Sequence, residues 1–105
     1  MTMKKNYEYL NDFIRIRKTE SGLLVDVYVV KWKGAHRPLK VIVDSLQFSG
    51  LSPRKIKSTI WSNQKYFRVC SKCNQLLNIG HLHINFDQGR DVCHSCAEKH
   101  YQIIH

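Results

Sequence analysis

Two C-x-x-C pairs constrain this chain more than any other feature. Cys70 and Cys73 form the first, Cys93 and Cys96 the second, and residues 74–92 lie between them. That gap of 19 positions falls within the spacing of four-cysteine zinc sites. Each C-x-x-C turn aims two thiolates at one point about 2.3 Å from an ion, and two turns complete a tetrahedron. Two other readings of the cysteines are weaker. Redox exchange needs an exposed cysteine of lowered pKa beside a positive group, and structural disulfides need an oxidising compartment. The pairs are better explained by one structural Zn2+ held by Cys70, Cys73, Cys93 and Cys96. Four thiolates fill such a site and leave no open position for an activated water.

The stretch "VCSKCNQLL" reads as a knuckle and "HLHINFDQGRDV" as a hairpin turning at Asp87–Gly89. "CHSCAEKHYQII" reads as a helix carrying the last two ligands in its first turn. Ala97, Tyr101 and Ile104 then share one helical face that packs over the hairpin. This order resembles a treble-clef finger, and similar layouts occur in GATA-type fingers and in the finger of the DksA/TraR class of transcription factors. The resemblance covers about a third of the chain. It implies zinc and says little about function, because treble clefs host many unrelated roles. The long coiled coil of DksA-type proteins is absent, so their mechanism is not carried over.

A second resemblance implies an enzyme. HNH nucleases often place a catalytic hairpin and helix between two C-x-x-C pairs, and "GHLHIN" puts His81, His83 and Asn85 on the hairpin. In such enzymes one histidine activates water and others hold a divalent ion against the scissile phosphate. The chain departs from that pattern twice. Its span between the pairs is short for the central asparagine loop, and Ala97 stands directly after the last cysteine, where that pattern commonly has a metal-binding histidine. His100 follows one helical turn later. The sequence also has no Ser–His–Asp order, P-loop or glycine-rich dinucleotide signature. The plain reading of these histidines is surface decoration, and the expected protein is a binder with no catalytic residues and no small-molecule substrate.

Charge divides the chain near residue 69. Residues 1–69 hold 14 of the 17 Lys and Arg and five of the eight acids, for a formal charge of +9; residues 70–105 are neutral and hold five of the six histidines. The expected organisation is a basic segment over 1–69 and a cysteine segment over 70–105 packed against it. Such a basic excess points to a polyanion, with DNA or RNA the commonest. The candidate contacts are Arg15, Arg17, Lys31, Trp32, Lys33, Lys40, Arg54, Lys55 and Lys57. In "VKWKG" the indole of Trp32 lies between two lysines, an arrangement suited to base stacking beside a phosphate track. An acidic protein is the alternative partner, since lysines on strands also keep edges from aggregating. Trp32 has the competing role of core or hairpin packing.

The basic segment reads as β backed by a helix. "FIRIRK" (13–18) alternates, with Phe13, Arg15 and Arg17 on one side and Ile14 and Ile16 on the other. "ESG" (20–22) has hairpin composition, and "LLVDVYVVKWK" (23–33) is rich in β-branched and aromatic residues. "GAHRP" (34–38) breaks the strand before "LKVIVDSL" (39–46). Ser52 is positioned to cap a helix with Pro53 at its first turn, and Ile56 and Ile60 would face the sheet. The fold class expected is α+β: a small antiparallel three-stranded meander with a helix, then a treble-clef zinc finger. No apolar run suits a signal peptide or reaches the roughly 18 residues of a membrane span. The expected compartment is therefore the cytosol or the interior of a host cell.

Overall fold

The computed structural model describes residues 6–34 and 37–101. Its elements are α1 (Tyr7–Asn11), β1 (Ile14–Thr19), β2 (Gly22–Trp32), β3 (Pro38–Phe48), α2 (Pro53–Trp61), β4 (Phe67–Val69) and β5 (Leu76–Asn78). A 3-10 turn (Ile79–His81), β6 (Leu82–Asp87), β7 (Arg90–Cys93) and α3 (His94–Tyr101) follow. The class is α+β: a three-stranded antiparallel sheet in the order β1-β2-β3, and two small two-stranded sheets, β4-β5 and β6-β7.

The meander forms because its alternation sorts side chains between two faces. Ile14 lies opposite Val27 and Ile16 opposite Val25, while Arg15 lies opposite Asp26 on the other face. β3 runs further than its sequence pattern indicated, with Gln47 opposite Leu24 and Phe48 opposite Leu23. The ring of Phe48 packs on the core, which rewards the extension. A bulge shifts the register from Val27–Asp44 to Tyr28–Ile42 and leaves Val43 without a Cα partner.

Ser52 caps α2 as expected, accepting the Lys55 N–H at 3.3 Å, and Pro53 opens the helix. Ile56 and Ile60 join Val25, Val27 and Val29 in the main core. That core also takes in Leu10, Phe13, Tyr66, Phe67 and Leu76, so packing runs across the charge boundary near residue 69. α1 was not anticipated. Asn6 caps it through the Tyr9 N–H, and Leu10 is its only buried residue; five residues are too few to show helical periodicity.

One polar residue joins the cysteine segment to the sheet. β2 outruns β1: beyond the last contact, Tyr28 N–H to the Phe13 carbonyl at 2.8 Å, no strand among the described residues pairs with this edge of β2. Asn78 takes that place from 48 residues away. Its Nδ2 donates to the Tyr28 carbonyl at 3.0 Å, and its Oδ1 accepts the Val30 N–H at 3.0 Å and the Gly80 N–H at 3.1 Å. Its own N–H donates to the Tyr9 hydroxyl at 3.0 Å, and that hydroxyl lies 2.6 Å from His81 Nδ1. Burial pushes Tyr9 up to about 12 and His81 below its ordinary value. The hydroxyl and the imidazole Nδ1 thus share one hydrogen bond in a buried setting that disfavours charge on either ring. Gly80 admits this approach because a Cβ there would collide with the Val30 carbonyl and side chain.

Asn78 is fully buried, so removing its amide strands a donor and an acceptor on β2, each costing about 1–3 kcal/mol. Asn78→Ala is expected to lose about 3 kcal/mol in urea unfolding; a loss below about 1 kcal/mol would show that water replaces the amide. A pH effect follows from two carboxylates. The Ser45 hydroxyl at 2.7 Å, and then Arg17 at 3.1 Å, hold Asp26 below the usual carboxylate range; Lys65 at 2.7 Å and the Tyr66 hydroxyl do the same for Asp44. A depressed folded pKa stabilises above the unfolded value near about 4, and that stability is lost as pH falls through the folded pKa. The stability gap between the wild type and Asp26→Asn should accordingly shrink below about pH 4 in unfolding experiments across pH.

Candidate metal centre

The first cysteine pair occupies the turn between β4 and β5, whose ladder pairs Phe67 with Asn78 and Val69 with Leu76. The turn is closed by Asn74 N–H to the Cys70 carbonyl at 2.9 Å and Cys70 N–H to the Gln75 carbonyl at 3.0 Å, with Asn74 in the left-handed region at φ 60°. Asn tolerates that conformation better than most residues. The second pair comes from the β6–β7 hairpin and α3. Its two-residue turn, Gln88–Gly89, has φ of 52° and 80°, the type I′ geometry that suits the twist of a hairpin. The expectation that both Cys93 and Cys96 ride on the helix needs correcting. Cys93 closes β7 opposite Leu82, and only Cys96 lies in α3. Ala97 is buried under the hairpin core; the expected packing of Tyr101 and Ile104 lies outside the described residues.

All four sulfur atoms lie within 4.8 Å of one another, and Cys73 Sγ is 3.9 Å from Cys93 Sγ. A tetrahedron with corners about 2.3 Å from its centre has edges of about 3.8 Å, so the cluster fits one ion. The cysteines form no disulfide. Backbone N–H groups point at the sulfurs as they would at thiolates: Lys72 and Cys93 donate to Cys70 Sγ at 3.4 and 3.3 Å, and Cys96 donates to Cys93 Sγ at 3.4 Å. Burial alone would push Cys70 up, but the backbone N–H groups of Cys73, Cys93 and Lys72 outweigh it and bring the thiol down to about 7. Burial and the neighbouring sulfurs push Cys96 well above the ordinary range. One thiolate thus forms readily while burial and the neighbouring sulfurs hold Cys93 and Cys96 protonated to higher pH, a conflict that a central cation resolves.

The clamp is braced from outside. Ser71 N–H donates to the Asp91 carbonyl at 2.9 Å, Asn85 N–H to Asp91 Oδ1 at 3.1 Å, and Arg68 pairs with the Asp91 carboxylate at 3.5 Å. Leu82, Val92 and Ala97 pack around the cysteines. Trp32 reaches across from β2: its indole N–H donates to the Gly80 carbonyl at 2.6 Å, and its ring lies 5.4 Å from His94 and 6.1 Å from His81. Trp32 is still 40% exposed. His83 packs at a tilt against Phe86, 5.0 Å away, and against His94, 4.5 Å away. Among the described residues the histidines join no group of three metal-ligating side chains; the four cysteines alone do.

The basic candidates are spread over several surfaces. Arg15 and Arg17 share the outer face of β1, where Arg17 pairs with the buried Asp26. Lys40 donates to the Asp12 carbonyl at 3.3 Å. Lys31 lies opposite Leu39 and Lys40 opposite Val30, so these two lysines point to opposite faces of the sheet. Lys33 follows the end of β2, and Arg54, Lys55 and Lys57 lie on α2. Sequence reasoning missed Tyr9, Asn78 and Gly80, which position the clamp. Of the three, only the glycine carried a local signal, its isolation next to a strand.

Fold and centre together define a small α+β protein with four cysteines arranged to bind a metal ion. No helix among the described residues is long and apolar enough to cross a membrane. The chain matches no protein-family model, and neither curated proteins nor solved structures match it.

One ion per chain is expected in the purified protein, and Cys70→Ser or Cys93→Ser should lose it together with the ordered amide signals of β6, β7 and α3. Elemental analysis and heteronuclear NMR check this; unchanged metal content in both variants would refute the site.

Proposed function

We propose that this chain is a non-enzymatic, zinc-containing nucleic-acid-binding protein with a regulatory role. In this reading Cys70, Cys73, Cys93 and Cys96 hold one structural Zn2+ in a treble-clef arrangement. The four-sulfur donor set favours zinc, and a filled tetrahedron leaves no position for substrate. The zinc supplies folding free energy that a short segment cannot draw from burial alone.

The observation that carries the binding reading is the pairing of the charges. Among the described residues, ion pairs join Arg17 to Asp26, Lys65 to Asp44 and Arg68 to Asp91. Arg15, Lys31, Lys33, Lys40, Arg54, Lys55 and Lys57 have no acidic partner among those residues. Cations that the fold does not neutralise are available to phosphates, and each phosphate contact releases counterions. Four thiolates around Zn2+ add two negative charges to a formally neutral segment, so the phosphate contacts belong to the basic segment.

A second reading, an adaptor or inhibitor that binds an acidic protein of a transcription or defence complex, draws on β3. This edge strand exposes Leu39 and Ile42 at 50% and 53%. Salt separates the two readings. Binding of zinc-loaded protein to duplex DNA, single-stranded DNA and RNA across a salt series should show a steep slope, and Arg15→Ala or Lys33→Ala should each reduce it by about one. No binding to any of the three at low salt would refute the proposal in favour of a protein partner.

A further inference from the structure

Resting on the nucleic-acid reading above, we infer that the groove between α1 and α2 binds an unpaired nucleotide of a single strand. Tyr7 and Asn11 lie one helical turn apart on α1, and Arg54, Lys57, Ser58 and Trp61 follow one stripe of α2. These six residues line a cavity of about 540 Å³, within the roughly 300–1,000 Å³ of small-ligand sites.

Each wall has a role in such a site. Tyr7 is 57% exposed, and its ring rests 5.2 Å from the buried Trp61 at a tilt of 41°. An aromatic residue anchored at one side and more than half exposed offers surface on which a base can stack. Arg54 and Lys57 stand beside it without acidic partners among the described residues, and α2 itself contains no acid. A guanidinium and an ammonium at the rim of an aromatic cavity suit a phosphate attached to the stacked base. The Asn11 amide and the Ser58 hydroxyl offer both donors and acceptors to base or sugar. Trp32, by contrast, spends its indole N–H on Gly80 and lies against His81 and His94. The stacking ring is therefore Tyr7.

A base inside a duplex keeps both faces covered and cannot enter, so the groove selects single strands. The test is fluorescence anisotropy of zinc-loaded protein with labelled oligothymidylate and with a blunt duplex of equal length. Tyr7→Leu preserves an apolar contact on Trp61 but removes the ring, and melting curves verify that it folds. Tyr7→Leu and the double variant Arg54→Ala/Lys57→Ala should each weaken single-strand binding about tenfold or more and erase its preference over duplex. Lys18→Ala, which removes one exposed charge elsewhere, should change affinity less than about twofold.

Tight binding that prefers duplex, or groove variants that behave like Lys18→Ala, would overturn the groove and leave the broader reading standing. No binding of either probe at low salt would overturn both.

Discussion

The carboxamide of Asn78 stands where β1 stops short of β2, and the placement of the cysteine segment depends on it. β2 continues past its partner with one carbonyl and one N–H facing the gap, and a buried edge in that state would be costly. An amide presents a donor and an acceptor with the spacing of a strand, so a single side chain completes the ladder. Tyr9 binds the backbone of the same residue, and Gly80 lets the chain pass against Val30. Because Asn78 ends β5, whose ladder with β4 carries the Cys70–Cys73 turn, the contact that seals the sheet also sets the position of half the metal clamp.

The clamp adds cohesion in the other direction. Its second pair comes from a hairpin and a helix that share a small core of Leu82, Val92 and Ala97 with the sulfurs. So small a core supplies little stability by itself. Backbone donors aimed at Cys70 and Cys93 arrange the sulfurs for negative charge, and a cation satisfies all four together. The Arg68–Asp91 pair, part-exposed and worth little in energy, serves to register the knuckle against the hairpin.

The fold also decides which charges remain for a partner. Arg17 is committed to Asp26, and Trp32 to the 3-10 turn. Among the described residues the cations of α2 have no acidic partner, and two of them line the groove that the helix forms with α1. Net charge is a property of composition. A binding surface is a property of which cations folding leaves unpaired.

Spacing and periodicity made much of this legible in the sequence. Two C-x-x-C pairs determined the ligand set, alternating Ile and Val determined the meander, and Ser52-Pro53 determined where α2 begins; each is a local pattern whose cause lies within a few residues. The remainder rests on contacts between distant positions. Asn78 and Val30 are 48 residues apart, Tyr9 and His81 72, and no local signal marks either pair. α1 is too short to announce itself by periodicity, and Cys93 is drawn into a strand by its register with Leu82 rather than by any helix signal. The sequence by itself determined the clamp, the sheet and the excess of positive charge. Only the tertiary structure decided how clamp and sheet dock and which charges stay free, because buried hydrogen bonds and ion pairs are settled by the neighbours that folding brings together.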